Sequence, residues 1–123
     1  MVRPTWPIGG AGEDVSRQHD APRSKTISLA EAARLIPDGA LVTFGGVLLT
    51  RPPAAFIREL ARQRRRGLRL VKPSPAYDLD LLCAAGCIAE AAIGITTFES
   101  RFGQSRQFRQ AVERGTIKLR EHS

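Results

Sequence analysis

From Lys25 to Ser123 the chain alternates between capped helical segments and short apolar runs, each closed by glycine or proline. No other feature restricts the fold as much. Neighbouring parallel strands need a long crossover, usually a helix, and that crossover is right-handed. The first unit opens on Ser28-Leu29-Ala30-Glu31, a capping box in which the Ser oxygen accepts the Glu31 amide and Glu31 reaches back. Pro37-Asp38-Gly39 is a turn. Ala40–Gly46 (ALVTFGG) then reads as a buried strand running into two glycines. Pro52-Pro53 suits a helix start. Phe56, Ile57, Leu60 and Ala61 form its apolar face, and Arg62–Arg66 occupy its last turn, where cations oppose the helix dipole. Gly67 stops it.

The pattern then repeats. Leu68–Lys72 is a short strand followed by a Pro-Ser-Pro loop. Asp78 is placed to cap a helix carrying Leu79, Leu81, Leu82 and Cys83, closed by Gly86. Ile88–Ile95 is a mostly apolar run that suits a central strand. Ser105 is placed to cap a helix with Phe108, Ala111 and Val112 on one face, closed by Gly115. Ile117 and Leu119 alternate with Lys118 and Arg120, as in a strand with one exposed face. The expected fold class is α/β: a mostly parallel sheet with crossover helices, in the order α-β-α-β-α-β-α-β.

Residues 1–24 show no apolar periodicity and are expected to be a disordered tail. Gly9-Gly10-Ala11-Gly12 resembles a phosphate loop, but no strand precedes it and no Lys-Ser/Thr follows. Arg3, Arg17 and Arg23 offset Glu13, Asp14 and Asp20, so the whole formal charge of +7 sits in residues 25–123. An excess of this size favours anionic partners: nucleic acid, an acidic lipid surface or a phosphorylated cofactor. Two cysteines cannot make a disulfide framework, which suits a reducing compartment. No apolar run approaches the roughly 18–20 residues of a membrane helix, and no secretory signal is visible. A cytoplasmic protein without membrane attachment is expected.

In an open parallel sheet, ligands gather beyond the carboxyl ends of the strands. The first such end carries Phe44-Gly45-Gly46-Val47-Leu48-Leu49-Thr50-Arg51-Pro52. Glycines let backbone approach a ligand, amides at the next helix start can receive an anion, and Arg51 beside them can pair with a carboxylate or phosphate. Gly45, Gly46, Thr50 and Arg51 are therefore the candidate binding residues. The plain alternative is a glycine-rich turn with an exposed arginine.

Other positions offer less. Cys83 and Cys87 are four apart, but the histidines are His19 in the tail and His122 at the end, too few for a metal site. The thiols read as core or near-core groups. Asp78 and Asp80 read as a cap and its neighbour before a catalytic pair. Glu99 follows a strand and lies on a loop, where a site residue can stand, but it reads as a solvated carboxylate before a site residue. Arg64-Arg65-Arg66 could track phosphates or simply solvate a helix end. Few aromatics accompany that run, which argues against a nucleic-acid stacking platform.

Lys25–Ser123 resembles the N-terminal part of the alpha-type (A) chain of family I CoA-transferases, in the glutaconate CoA-transferase-like branch. The resemblance is carried by Ile27–Ala33 (ISLAEAA), Ile36-Pro-Asp-Gly, Phe44-Gly-Gly, Thr50-Arg-Pro-Pro, Phe56–Arg62 (FIRELAR), Asp80–Gly86 (DLLCAAG), Phe108–Ile117 (FRQAVERGTI) and Glu121-His-Ser, in the family's order. It implies a hetero-oligomer with a B-type subunit that carries the catalytic glutamate. It implies acyl-CoA and carboxylic acid substrates, with the coenzyme A thioester as substrate rather than bound cofactor. It further implies that no catalytic residue falls in this chain and that Gly45, Gly46, Thr50 and Arg51 border the acyl/CoA site. The family's alpha-type chains continue beyond Glu121-His122-Ser123, so the chain is expected to be incomplete and inactive alone. The family's glycine-containing loop after the second strand is replaced by Lys72–Tyr77, with two prolines. The alternative of a different class is a non-catalytic basic α/β module that binds nucleic acid or another acidic partner.

Overall fold

The computed structural model describes residues 24–122, so the expected tail, Ser24 apart, lies outside the described residues. Helices and strands alternate as α1 (Leu29–Arg34), β1 (Leu41–Val42), α2 (Ala54–Arg62), β2 (Leu68–Lys72), α3 (Tyr77–Ala84), β3 (Ile88–Ile93), α4 (Arg106–Glu113) and β4 (Lys118–Glu121). The strands pair parallel in sequence order, β1-β2-β3-β4. The α/β class and the parallel sheet are as the alternation requires.

The helices touch in the same order, α1 to α2, α2 to α3 and α3 to α4, and so form one layer. β2 alternates buried and exposed residues along its length, the mark of a sheet covered on one face. The core lies between sheet and helices: Ile57 and Leu60 of α2, Leu79 and Leu82 of α3, and Leu68 and Leu70 of β2 are fully buried. Removing each such side chain from water is worth roughly 1.5–3 kcal/mol. On the opposite face, Leu41, Arg69, Glu90 and Lys118 stand in one row across the four strands. Ala89 is an extra residue in β3 between the Leu68–Ile88 and Arg69–Glu90 pairs.

Three boundaries differ from the sequence reading. β1 holds only Leu41–Val42 rather than Ala40–Gly46, because Thr43–Gly46 already turn into the loop. β3 stops at Ile93, short of Ile95. α2 ends at Arg62, so Arg64–Arg66 lie beyond the helix rather than in its last turn. The Arg64 amide donates to the Ala61 carbonyl and the Arg65 amide to the Leu60 carbonyl, which closes the helix as a Schellman motif. Arg64 takes its left-handed position at φ 54°.

The caps divide in the same way. Ser28 and Glu31 form the expected reciprocal box, at 3.2 Å and 2.8 Å. Ser105 precedes α4 but caps nothing with its side chain; its hydroxyl meets that of Thr96 at 2.8 Å. The cap of α4 comes instead from Asp80 on α3, whose Oδ1 accepts the Gln107 and Phe108 amides at 2.7 and 2.9 Å. Asp78 lies inside α3, after an N-cap at Ala76, and serves another purpose.

Candidate functional site

All four strands run the same way, so their carboxyl ends share one end of the sheet. The loop from β1 to α2 begins there. Val47 and Thr50 exchange backbone hydrogen bonds at 3.0 and 2.8 Å, which folds the segment back on itself. Gly46 sits inside this fold at φ 84°. A first side-chain carbon at Gly46 would stand 2.6 Å from the carbonyl oxygens of Thr50 and Arg51, so only glycine fits. Leu48 and Arg51 also hold left-handed conformations, at φ 49° and 56°, each disfavoured by roughly 1 kcal/mol or more for a residue with a side chain. The fold of the loop thus brings Gly46, Thr50 and Arg51 together, with Thr50, Arg51 and Gly45 exposed. Beneath it, Phe44 and Phe56 pack edge to face, with ring centroids 6.4 Å apart.

A second loop holds the first in place. The Leu48 amide donates to the Ser74 carbonyl at 2.9 Å. Lys72, at the end of β2, is only 3% exposed and its ammonium donates to the Gly45 carbonyl at 3.2 Å. The same ammonium lies 2.6 Å from Asp78 Oδ2, and Asp78 is fully buried. Asp78 Oδ1 in turn accepts the amides of Ala76 and Leu79, both at 3.0 Å. This buried ion pair joins the end of β2, the start of α3 and the glycine turn after β1. The Lys72–Tyr77 segment packs inward through Pro75 and Ala76, while Tyr77 accepts a hydrogen bond from Arg58 at 3.0 Å. Sequence reasoning does not pair Lys72 with Asp78; their spacing across a strand end is the one available signal.

Gly94 falls within the strand expected from sequence but has a different use. The amides of Gly94 and Ile95 both donate to the Pro73 carbonyl at 3.0 Å. A first side-chain carbon at Gly94 would stand 3.0 Å from the carbonyl oxygens of Pro73 and His122. The residue lets the ends of β2, β3 and β4 converge.

The remaining candidates fall elsewhere. Burial pushes the Cys83 thiol up to about 12, with the nearby Asp80 charge acting in the same direction. Burial also raises Cys87. Neither is a thiolate nucleophile near neutral pH. Asp80 is committed to the α4 cap. Glu99 heads an exposed turn at φ 71°, where its carbonyl accepts the Phe102 and Gly103 amides. His19 lies outside the described residues, and among the described residues no cluster of metal-ligating side chains forms. Arg64 and Arg66 border a cavity of about 470 Å³ with Ala61, Ala85 and Gly86. That cavity adjoins the starts of β2 and β3, at the other end of the sheet from Gly46. No helix among the described residues is long and apolar enough to cross a membrane.

Residues 26–123 match the coenzyme A transferase family. The chain is similar to the cholesterol ring-cleaving hydrolase IpdA subunit of Rhodococcus jostii, at 33% identity over 80% of this chain and 33% of that protein. It is similar to the A-type subunit of the 3-oxoadipate CoA-transferase of Pseudomonas knackmussii, at 32% identity over 81% of this chain and 36% of the relative. The fold matches the crystal structure of glutaconate coenzyme A-transferase from Acidaminococcus fermentans with a TM-score of 0.76 and 27% identity. That match covers 81% of this chain and 32% of the solved one. The chain thus spans about a third of the length of these proteins.

Proposed function

The chain belongs to the coenzyme A transferase family, and from that premise we propose that it is an alpha-type (A) component of an enzyme that moves coenzyme A between carboxylic acids. Its partner is a B-type subunit, which carries the attacking glutamate. The partner's carboxylate attacks the carbonyl of the donor thioester, and the C–S bond breaks to give an acyl anhydride and coenzyme A thiolate. The thiolate then attacks the glutamyl carbonyl, releasing the donor acid as its carboxylate and leaving an enzyme–CoA thioester. The acceptor carboxylate reverses both steps. Such covalent catalysis divides one hard acyl exchange into easier ones.

This chain furnishes a wall of the acyl/CoA site and no nucleophile. Gly45, Gly46 and Thr50 present the backbone of the strand-end loop, and Arg51 pairs with a carboxylate or phosphate of the substrate. The coenzyme A thioester is substrate, and the site of action is the cytoplasm. One observation carries the reading: the loop closed around Gly46 stands at the carboxyl end of a parallel strand, within the segment that matches the family.

The test is an assay of exchange between an acyl-CoA panel and radiolabelled acetate. The chain alone is expected to give no turnover. The complex with a B-type subunit is expected to turn over, and to stop when the B-type glutamate is replaced by alanine. Turnover by the chain alone, or by the complex lacking that glutamate, overturns the assignment.

A further inference from the structure

Lys72 is a buried cation that the proposed reaction does not use, and it holds one particular peptide group. Its ammonium donates to the Gly45 carbonyl at 3.2 Å and to Asp78 Oδ2 at 2.6 Å. The Gly45–Gly46 peptide is trans, and in a planar trans peptide the N–H points opposite to the C=O. With the carbonyl turned inward to Lys72, the Gly46 N–H is turned away from it. That N–H has no acceptor among the described residues, and Gly46 is half-buried rather than sealed. The next two amides differ: those of Val47 and Leu48 donate to the Thr50 and Ser74 carbonyls.

Two further features point to a ligand at this amide. Leu48 and Arg51 hold left-handed conformations within the same turn, and backbone strain of this kind collects at binding and catalytic sites. An ammonium on the carbonyl also polarises the peptide and strengthens its N–H as a donor, since hydrogen bonds in a chain reinforce one another. Lys72 and Asp78 cancel in charge, so the donor offered at Gly46 is a dipole rather than a cation. It suits a carbonyl oxygen, and the charged groups of a substrate fall to Arg51.

We propose that Lys72 is a positioning residue: it orients and polarises the Gly45–Gly46 peptide, so that the Gly46 N–H donates to the acyl carbonyl oxygen of a coenzyme A thioester. Asp78 keeps the ammonium in place, and the amides of Ala76 and Leu79 keep Asp78 in place. A donor fixed in this way need not reorganise when the carbonyl oxygen gains negative charge. The inference rests on the coenzyme A reading and adds to it the group that aims the backbone donor.

The test uses the full chain in complex with a B-type subunit whose glutamate is replaced by alanine, so that binding is read without turnover. The probes are acetyl-CoA, which presents a small acyl carbonyl, and coenzyme A, which presents none. In the parent complex, hydrogen–deuterium exchange at the Gly46 amide is expected to slow with saturating acetyl-CoA and not with coenzyme A. Lys72→Met combined with Asp78→Asn removes both charges together and leaves an oxygen for the Ala76 and Leu79 amides. Calorimetry is expected to show that this double variant binds acetyl-CoA about tenfold more weakly and coenzyme A as before. Asp80→Ala loosens the fold away from the loop and is expected to leave both affinities unchanged. Melting curves check that the variants are folded, and the exchange measurement on the parent decides the matter if the double variant is not. A Gly46 amide that responds equally to both probes overturns the proposal. So does one already slow before a probe is added, because the protein itself then supplies the acceptor. A folded double variant that binds acetyl-CoA as the parent does, or weakens both probes equally, also overturns it. Binding of neither probe by the parent overturns the coenzyme A reading itself, and this proposal with it.

Discussion

Arg64 occupies a backbone position that Gly86 and Gly115 take after α3 and α4, with φ of 54° against 69° and 67°. A side chain is strained there and glycine is not. Arg64→Gly is therefore expected to raise stability by about 0.5–2 kcal/mol, the range for an improved helix cap, read from the urea midpoint. Gly46 presents the opposite case. Its replacement by valine would drive a side chain into the loop's own carbonyls, so that variant tests the loop as well as any ligand. Arg51→Ala is the cleaner probe, because the side chain is exposed. In a reconstituted complex it is expected to weaken coenzyme A thioester binding by about 1.5–3 kcal/mol, the range for a lost charged hydrogen bond, while the chain melts unchanged. Glu59 carries a pH dependence. Hydrogen bonds from Arg62 and then Gln63 hold its carboxyl at about 2, down from 4.5. A depressed carboxyl stabilises the fold above its ordinary value and loses that contribution as pH falls through the folded one. Stability is expected to decline between about pH 4.5 and 2, and Glu59→Gln should flatten that part of a melting-versus-pH curve.

At the scale of elements, two carboxylates have roles that their neighbours in the chain do not reveal. Asp80 caps α4 from α3. Asp80→Ala leaves those amides without their acceptor and is expected to cost about 1–2 kcal/mol, measured by chemical denaturation; Ser105→Ala should lack that capping penalty. Lys72→Met strands Asp78 as a buried charge, and breaking such a pair costs about 3–5 kcal/mol. Replacing both partners by apolar residues should recover much of that loss. These devices mark the limit of what residue order reveals. Ser28 and Glu31 are legible because a capping box closes within one turn. The helices, the parallel strands and the loop after β1 are legible because periodicity, glycine and proline act locally. The Asp80 cap is not, since its partners come 27 and 28 positions later and meet it only when α3 and α4 pack. Arg64 hides the end of α2 by standing where glycine is the usual stop signal, which extends the helix reading to Arg66.

For the molecule as a whole, protection should follow position in the sheet. Among the described residues β2 and β3 have a strand on either side, whereas β1 and β4 are edges, and β1 is only two residues long. Hydrogen–deuterium exchange is expected to be slowest in Leu70–Lys72 and Ala91–Ile93 and much faster in Leu41–Val42 and Lys118–Glu121. Uniform exchange across all four strands would contradict a sheet held mainly at its centre. The strand order has one more result. Among the described residues each strand pairs only with the strand before or after it in the chain, across separations of roughly 20–30 residues, so none of these pairings waits on a remote segment. During synthesis, β2 can dock on β1 as soon as it leaves the ribosome, and each later unit adds to a surface already formed. Assembly of this domain can therefore proceed from the amino end in the order of translation.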